Sequence, residues 1–352
     1  MNEIIRGVVK GVLWTIGAVI LIGAVIVFRL AHVSEPEKTA SLDFRGFVPL
    51  PDGASLTVLD YVTISDQRLF VTNESNGSVY KVALKGAGLP QPGDVTEFKS
   101  EPATHGVALT PSKTVAYVTR SEVNAVDAFD PQTMKAIARV PVSEDPDGVI
   151  FDSIHNLVYV ANGDAHLATL IDPVTHTVAA TIPLGGKPEF PALDPQTGLI
   201  YQNLRDINAV AAVDVANRSV NATWNLTGCE EPSGMAFDQD ARRLFIGCAG
   251  NARLIVFDLA THRVTATVAI GAGPDSVAFD PQLQRIYTAG KAGILTVLQQ
   301  ESHGTYKLLD SVKLHYGAHT LAFDPTTHRL FVAYASLFGP PRLAVFDPRT
   351  QH

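Results

Sequence analysis

Arg68-Leu69-Phe70-Val71-Thr72-Asn73 decides the fold, because this short apolar strand with one aromatic does not occur only once. It returns as VAYVTR at 115–120, LVYVAN at 157–162, LIYQNL at 199–204, LFIGCA at 244–249, RIYTAG at 285–290 and LFVAYA at 330–335. The aromatics are Phe70, Tyr117, Tyr159, Tyr201, Phe245, Tyr287 and Phe331, at successive gaps of 47, 42, 42, 44, 42 and 44 residues. Seven copies at a period in the low forties predict an all-β, seven-bladed β-propeller of four-stranded blades, because one such unit cannot bury its own apolar face and must stack on its neighbours.

Each copy has the same internal order. An apolar strand such as SVAFD at 276–280 comes first, and a turn follows, often Asp-Pro, as at Asp194-Pro195, Asp280-Pro281 and Asp324-Pro325. Asp at the first and Pro at the second position suit a type I turn, since Pro presets φ and the Asp carboxylate bonds back to the chain. The aromatic strand is next. A third strand runs into a second such turn, FDPQT at 129–133, IDPVT at 171–175, FDLAT at 257–261 and FDPRT at 346–350. A fourth strand alternates, as in TATVAIG at 265–271. The period of two and the β-branched content fit strands throughout. The last repeat stops after its third strand, whereas FRGFVPLP at 44–51, ahead of the first repeat, reads like the fourth-strand segments AIARVPV at 136–142 and AATIPLG at 179–185. Phe44 to Leu50 is therefore expected to complete the final blade and remove an exposed sheet edge. The stretch GAGLPQPGD at 86–94 lengthens the first blade and reads as a tolerated insertion, with a contact loop as the alternative.

These strands and Asp-Pro turns, at this spacing, resemble the YVTN-repeat propellers, and among them the bacterial YncE-like proteins. CEEPSGMAFDQDARRLFIGC at 229–248 is similar to a recurrent stretch of one YncE-like branch. The resemblance spans residues 42–352 and implies a secreted or periplasmic binding propeller. It supplies no catalytic motif. DNA binding, associated with one branch, has no support in this chain.

Composition agrees with that last point. The formal charge is −8, with 27 Lys and Arg against 35 Asp and Glu, so a groove of clustered cations for nucleic acid is not expected. Charged residues are 18% and hydrophobic residues 46%, which fits a folded, repeat-built core. Two cysteines, Cys229 and Cys248, are too few for a Cys-only zinc site or an iron–sulfur cluster, and no CxxCH haem motif exists. The first precedes an inner strand and the second ends its antiparallel neighbour, so both fall at one edge of the fifth blade. A disulfide between them is expected in an oxidising compartment.

Gly11 to Phe28 carry no charge and one polar side chain, Thr15. That length suits a membrane span. Arg6 and Lys10 precede it, while Glu35 and Glu37 follow Arg29. The positive-inside rule then keeps the N-terminus in the cytoplasm and puts the rest outside. A cleaved signal peptide, the alternative, has a shorter apolar region and a small-x-small site. The expected organisation is a cytoplasmic tail at 1–10, a transmembrane anchor at 11–30, a linker at 31–41 and the propeller at 42–352. The expected place is the inner membrane, single-pass, with the propeller on its periplasmic or extracellular side.

Aligned repeats also predict a site. The residues opening the seven inner strands are Asp60, His105, Asp147, Glu189, Ser233, Asp275 and His319, the first aligned through a turn two residues shorter. They should ring the central channel, with His319, Asp60, His105, Asp147 and Glu189 as a continuous arc. Such a lining suits a water-filled channel. It also suits a cationic or sugar-like ligand. His319, Asp60, His105 and Asp147 together read as candidate ligands for a divalent metal. Clustered carboxylates raise one another's pKa values, which suits acid–base work. His155, His166, His176, His262 and His328 fall in turns and read as solvated. No GxSxG, P-loop or Rossmann motif occurs. With tryptophan only at Trp14 and Trp224, the tryptophan-docking repeats of quinoprotein propellers are missing. The expected function is a membrane-anchored binding or scaffold module for a protein or small-molecule ligand. The alternative is a metal-dependent, lactonase-like hydrolase or an oxidoreductase at the polar channel.

Overall fold

A computed structural model describes residues 35–51, 57–86, 88–301, 304–315, 317–334 and 340–349. The apolar segment expected to anchor the chain lies outside these residues. Among the described residues no helix is long and apolar enough to cross a membrane.

Among the described residues, twenty-eight strands form seven four-stranded antiparallel sheets, each a blade. The inner strands are β2 (Leu59–Ser65), β6 (Thr104–Leu109), β10 (Pro146–Asp152), β14 (Pro188–Leu193), β18 (Pro232–Asp238), β22 (Pro274–Asp280) and β26 (Leu321–Phe323). Three further strands follow in order outward in the first six blades. The final blade instead has the order β1-β28-β27-β26, with β1 at Leu42–Pro49, β27 at Leu330–Tyr334 and β28 at Arg342–Pro348. The expected closure is therefore present: Phe44 faces Phe346 and Val48 faces Leu343. Blade 6 holds this junction from the side. Arg285 donates through Nη2 to the Arg349 carbonyl (2.8 Å), the Arg349 amide donates to the Ser41 carbonyl (2.7 Å), and the Ser41 amide donates to Asp310 (2.6 Å).

The turns follow from the sequence pattern. The Asp280 carboxylate accepts the amides of Gln282 (2.9 Å) and Leu283 (3.0 Å), and Asp152 does the same for Ile154 and His155. The fifth turn residue then takes a left-handed conformation, as at Asn156 (φ 56), Gln284 (φ 52) and His328 (φ 59), which lets a type I turn join two twisted strands. The turn histidines are not simply solvated. His155 and His328 bond Asp152 and Asp280 (2.7 and 2.8 Å), His176 bonds the Tyr117 hydroxyl (3.0 Å), and His262 stacks on Trp224. Turn carboxylates draw in His155 and His328, while aromatic side chains hold His176 and His262.

The core is a set of seams between blades. Each recurrent aromatic is buried in a different hydrophobic cluster that joins its own blade to the next: Phe70 to blade 2, Tyr117 to blade 3, and so on around to Phe331, which joins blade 7 to blade 1. Burying one such ring stabilises by roughly 2–3 kcal/mol. Outer strands such as Arg263–Ala269 alternate exposed and half-buried, as a one-sided edge should. The 86–94 insertion is more than a tolerated loop. Leu89 packs on the seam between blades 7 and 1, and Arg329 donates to the Gly88 carbonyl (3.1 Å).

Cys229 and Cys248 form a disulfide in blade 5, 19 residues apart in sequence and both buried. Closing a loop of that length stabilises by roughly 3 kcal/mol on chain-entropy grounds. Replacing both with Ser is expected to lower the unfolding free energy by about that amount in chemical denaturation, with dithiothreitol reproducing the loss in the parent only. An unchanged midpoint would show the bridge to be absent or without effect.

Candidate functional site

The ring residues sit at the second position of six inner strands, while His319 lies two residues ahead of β26. In all six strands the pairing with the second strand shifts just after the first residue, between Leu59 and Val62, Thr104 and Val107, Pro146 and Val149, Pro188 and Pro191, Pro232 and Met235, and Pro274 and Ser276. A bulge releases a residue from the ladder and re-aims its side chain. Here it turns the ring side chains toward the axis. Glycines permit the crowding that follows: a Cβ on Gly234 would meet the Asp275 carbonyl at 2.6 Å, and one on Gly106 would meet Val149 at 2.8 Å.

Six of the seven, Asp60, His105, Asp147, Glu189, Asp275 and His319, line one cavity of about 260 Å³ at the channel mouth. Ser233 does not line it. Its hydroxyl lies behind, buried, and donates to Asp275 (2.7 Å). The cavity is also less acidic than the ring alone suggests. Lys187, Arg205 and Lys291 enter it from neighbouring loops, with Glu74 and Asp145. Arg205 bonds Glu189 (3.1 Å) and Glu231 (2.6 Å), Lys187 bonds Asp145 (3.2 Å) and Asp164 (2.7 Å), and Lys291 lies 3.5 Å from Asp275. Three of these groups share a repeat position, the residue after the second strand, which reads Glu74, Ser121, Gly163, Arg205, Ala249 and Lys291. Aligning that position, as well as the inner-strand one, would have found them.

A floor of two aromatics was also not foreseen. Tyr61 of blade 1 and Phe190 of blade 4 stack across the channel with centroids 5.8 Å apart and planes 14° apart. Below them lies a second cavity of about 350 Å³ walled by Val62, Val107, Val149, Val277 and Leu321 among others. The stack separates a charged upper chamber from an apolar lower one. The signal was the residue after each ring position, which reads Tyr61, Gly106, Gly148, Phe190, Gly234, Ser276 and Thr320. Only two of these seven are large.

The four residues read as metal ligands do not meet at one point. They divide into Asp60–His105–Asp147 and Asp60–Asp275–His319, each with its ligand atoms within 4.8 Å of one another, and Asp60 belongs to both. In the first group both imidazole nitrogens of His105 are engaged, Nδ1 by Asp60 (2.6 Å) and Nε2 by Ser121 (2.8 Å). Burial, the largest single influence, works against its charge. The Asp60 hydrogen bond and the charges of Asp147 and Asp60 together outweigh it and raise the imidazole to about 9. Asp147 is 3.8 Å away and its Oδ1 has no hydrogen-bond partner. Burial chiefly, with Asp60, Glu189 and Asp275 nearby, lifts it to about 8 against the opposing pull of His105. Both members of a simple ion pair would not rise together. Asp60 is the hydrogen-bonded partner of His105, and Asp147 is the surplus carboxylate whose proton affinity burial raises. Burial likewise raises Glu189 despite Arg205.

Ser121, His105 and Asp60 thus lie in the order of a nucleophile, base and orienting acid. An imidazolium has no lone pair to take a hydroxyl proton, so at neutral pH the Ser121 hydroxyl accepts a bond from His105 and is not activated by it.

No protein-family model and no curated protein matches the chain. Among solved structures it is similar to Kuenenia stuttgartiensis Hydrazine Synthase, at 18% sequence identity and a TM-score of 0.70 over 80% of this chain and 94% of that one. At that identity the likeness shows the propeller fold alone.

The proton balance predicts a pH effect. A raised imidazole contributes stability fully below its unfolded value of about 6.5 and loses it as pH rises through about 9. Its upper limit is on the order of 3 kcal/mol. Asp147 works in the same direction up to about pH 8, since the unfolded carboxylate releases a proton that the folded one keeps. Melting of chelator-treated protein should therefore fall between pH 6.5 and 9, and His105→Gln should flatten the slope. An equal slope in the variant would contradict the pairing.

Proposed function

We propose that the chain is an extracytoplasmic binding module, tethered to the membrane by the apolar segment at 11–30, whose ligand is a small polar molecule carrying charge and held at the channel mouth. The observation that carries the binding reading is the upper chamber. Ionisable side chains from several blades converge on about 260 Å³, and lysine, arginine and carboxylate groups pair across it. Such a lining holds amino, carboxylate and hydroxyl groups by charge-assisted bonds, while the Tyr61–Phe190 floor limits depth. The seven-bladed fold provides the scaffold, and the repeat strands favour a YncE-like membership. The buried disulfide fits an oxidising location. The tether would leave from β1, the outer strand of the final blade, and so hold the propeller by its rim.

A melting screen of the full chain against amino acids, polyamines and small sugars tests the site. Compounds that raise the midpoint of the parent should lose that effect in Arg205→Ala or Asp147→Asn. Equal shifts in parent and variants would place binding elsewhere. In carbonate-washed bacterial membranes the full chain should stay in the pellet and a chain lacking 1–34 should not. Release of both would remove the tether.

A further inference from the structure

The second carboxylate–histidine group at the channel mouth carries a sharper statement, which rests on the binding reading above and names one occupant. His319 is almost wholly buried, with 8% of its side chain exposed. Its Nδ1 lies 2.6 Å from the carbonyl oxygen of Gly317. A carbonyl only accepts, so Nδ1 carries the proton and donates. In the neutral ring the lone pair is then on Nε2. That nitrogen points into the cavity, 3.6 Å from Asp275 Oδ2 and 3.9 Å from Asp60 Oδ1. Neither distance is a hydrogen bond. His319 Nε2 and one oxygen each of Asp60 and Asp275 thus converge within 4.8 Å of one another.

We propose that His319 Nε2, Asp60 and Asp275 hold a divalent first-row transition cation of the zinc type, with its open coordination position turned to the upper chamber. Four observations support this. Backbone capture of the far ring nitrogen is how metal-binding histidines are oriented. The separations are close to those of three ligands around one ion: N and O bonds of about 2.0–2.2 Å at tetrahedral angles put ligand atoms about 3.3–3.6 Å apart, against 3.6 Å from His319 Nε2 to Asp275 and 3.9 Å to Asp60, so a few tenths of an ångström of side-chain adjustment by Asp60 would complete the set. Asp60 has one oxygen for each role, since Oδ2 bonds His105 while Oδ1 faces His319. Asp275 is itself positioned, with Oδ1 accepting from the buried Ser233 hydroxyl and Oδ2 left for the ion. The donor set of one imidazole and two carboxylates favours zinc or manganese over calcium, which wants six or more oxygens. His105 is excluded because both its nitrogens are already bonded.

Two cations oppose the site. Lys291 lies 3.5 Å from Asp275 Oδ2 and His105 bonds the other oxygen of Asp60. Lys291 is more than half exposed and has room to turn toward water, so the ion would displace it from the carboxylate. An anionic group on the ligand would then meet the ion's open position and the freed ammonium together.

The test uses the full chain, stripped with chelator, dialysed against zinc or manganese and analysed by elemental mass spectrometry. One ion per chain is expected in the parent and in His105→Gln. At least tenfold weaker binding is expected in His319→Gln and in Asp275→Asn, each confirmed to melt cooperatively. Stoichiometric metal in both of these variants would overturn the proposal, as would no metal in the parent. So would loss in His105→Gln with retention in Asp275→Asn, which would move the ion to the other group. Should one of the two ligand variants fail to fold, the other decides. If no metal binds but charged compounds still shift the parent's melting in a channel-dependent way, the cation falls and the binding module stands. If metal binds and no compound shifts it, the reverse holds.

Discussion

The rest of the molecule depends on the packing of one blade's aromatic strand against the sheet of the next. Each of the seven aromatics is buried only because a neighbouring blade covers it. A line of seven blades would leave one such face in water; a ring leaves none. The seventh seam exists because β1, from the start of the propeller, completes the blade that the end of the chain begins. Blade 6 and the 86–94 insertion fasten that junction from either side, through Arg285, Asp310, Leu89 and the Gly88 carbonyl. Ring closure then brings seven equivalent strand positions together at the axis. The channel site is a consequence of closure and does not exist in any single blade.

Much of this was legible in the sequence because it repeats. A period is visible without knowing any contact, so the blade count, the missing fourth strand and the ring positions could be read directly. The cysteine pairing followed from where two residues fall on adjacent antiparallel strands. The interior of the channel was less legible, for a physical reason. Aligning one position per repeat shows what lies at one radius and one height. Lys187, Arg205 and Lys291 come from loops at another height, and their charges offset a ring that looked acidic by itself. The Tyr61–Phe190 stack joins blades 1 and 4 across the axis, and no local pattern tells which two side chains will meet there. Nor could the sequence show that Asp60 divides its two oxygens between two histidines.

That division organises the electrostatics. His105 sits between Asp60, which it bonds, and Asp147, 3.8 Å away; the carboxylates raise the imidazole while burial raises Asp147. His319 is held through Nδ1 by a backbone carbonyl and turns Nε2 toward Asp60 and Asp275 in the same cavity. The mouth therefore offers cations, anions and an imidazole within a volume that suits a small molecule. A polar binding site accommodates these features together, and the raised imidazole of His105 does not favour a hydrolytic relay through Ser121.

Closure through β1 is the claim on which the site stands, and a cross-link tests it most directly. Asp43 and Asp347 are opposite partners on β1 and β28, and residues so paired are close enough for a disulfide. In the full chain carrying Asp43→Cys and Asp347→Cys, mild oxidation should join the 43 and 347 peptides within one molecule, beside the native 229–248 bridge. A chain that keeps the native bridge yet never links 43 to 347, or links them only between molecules, would contradict the closed ring.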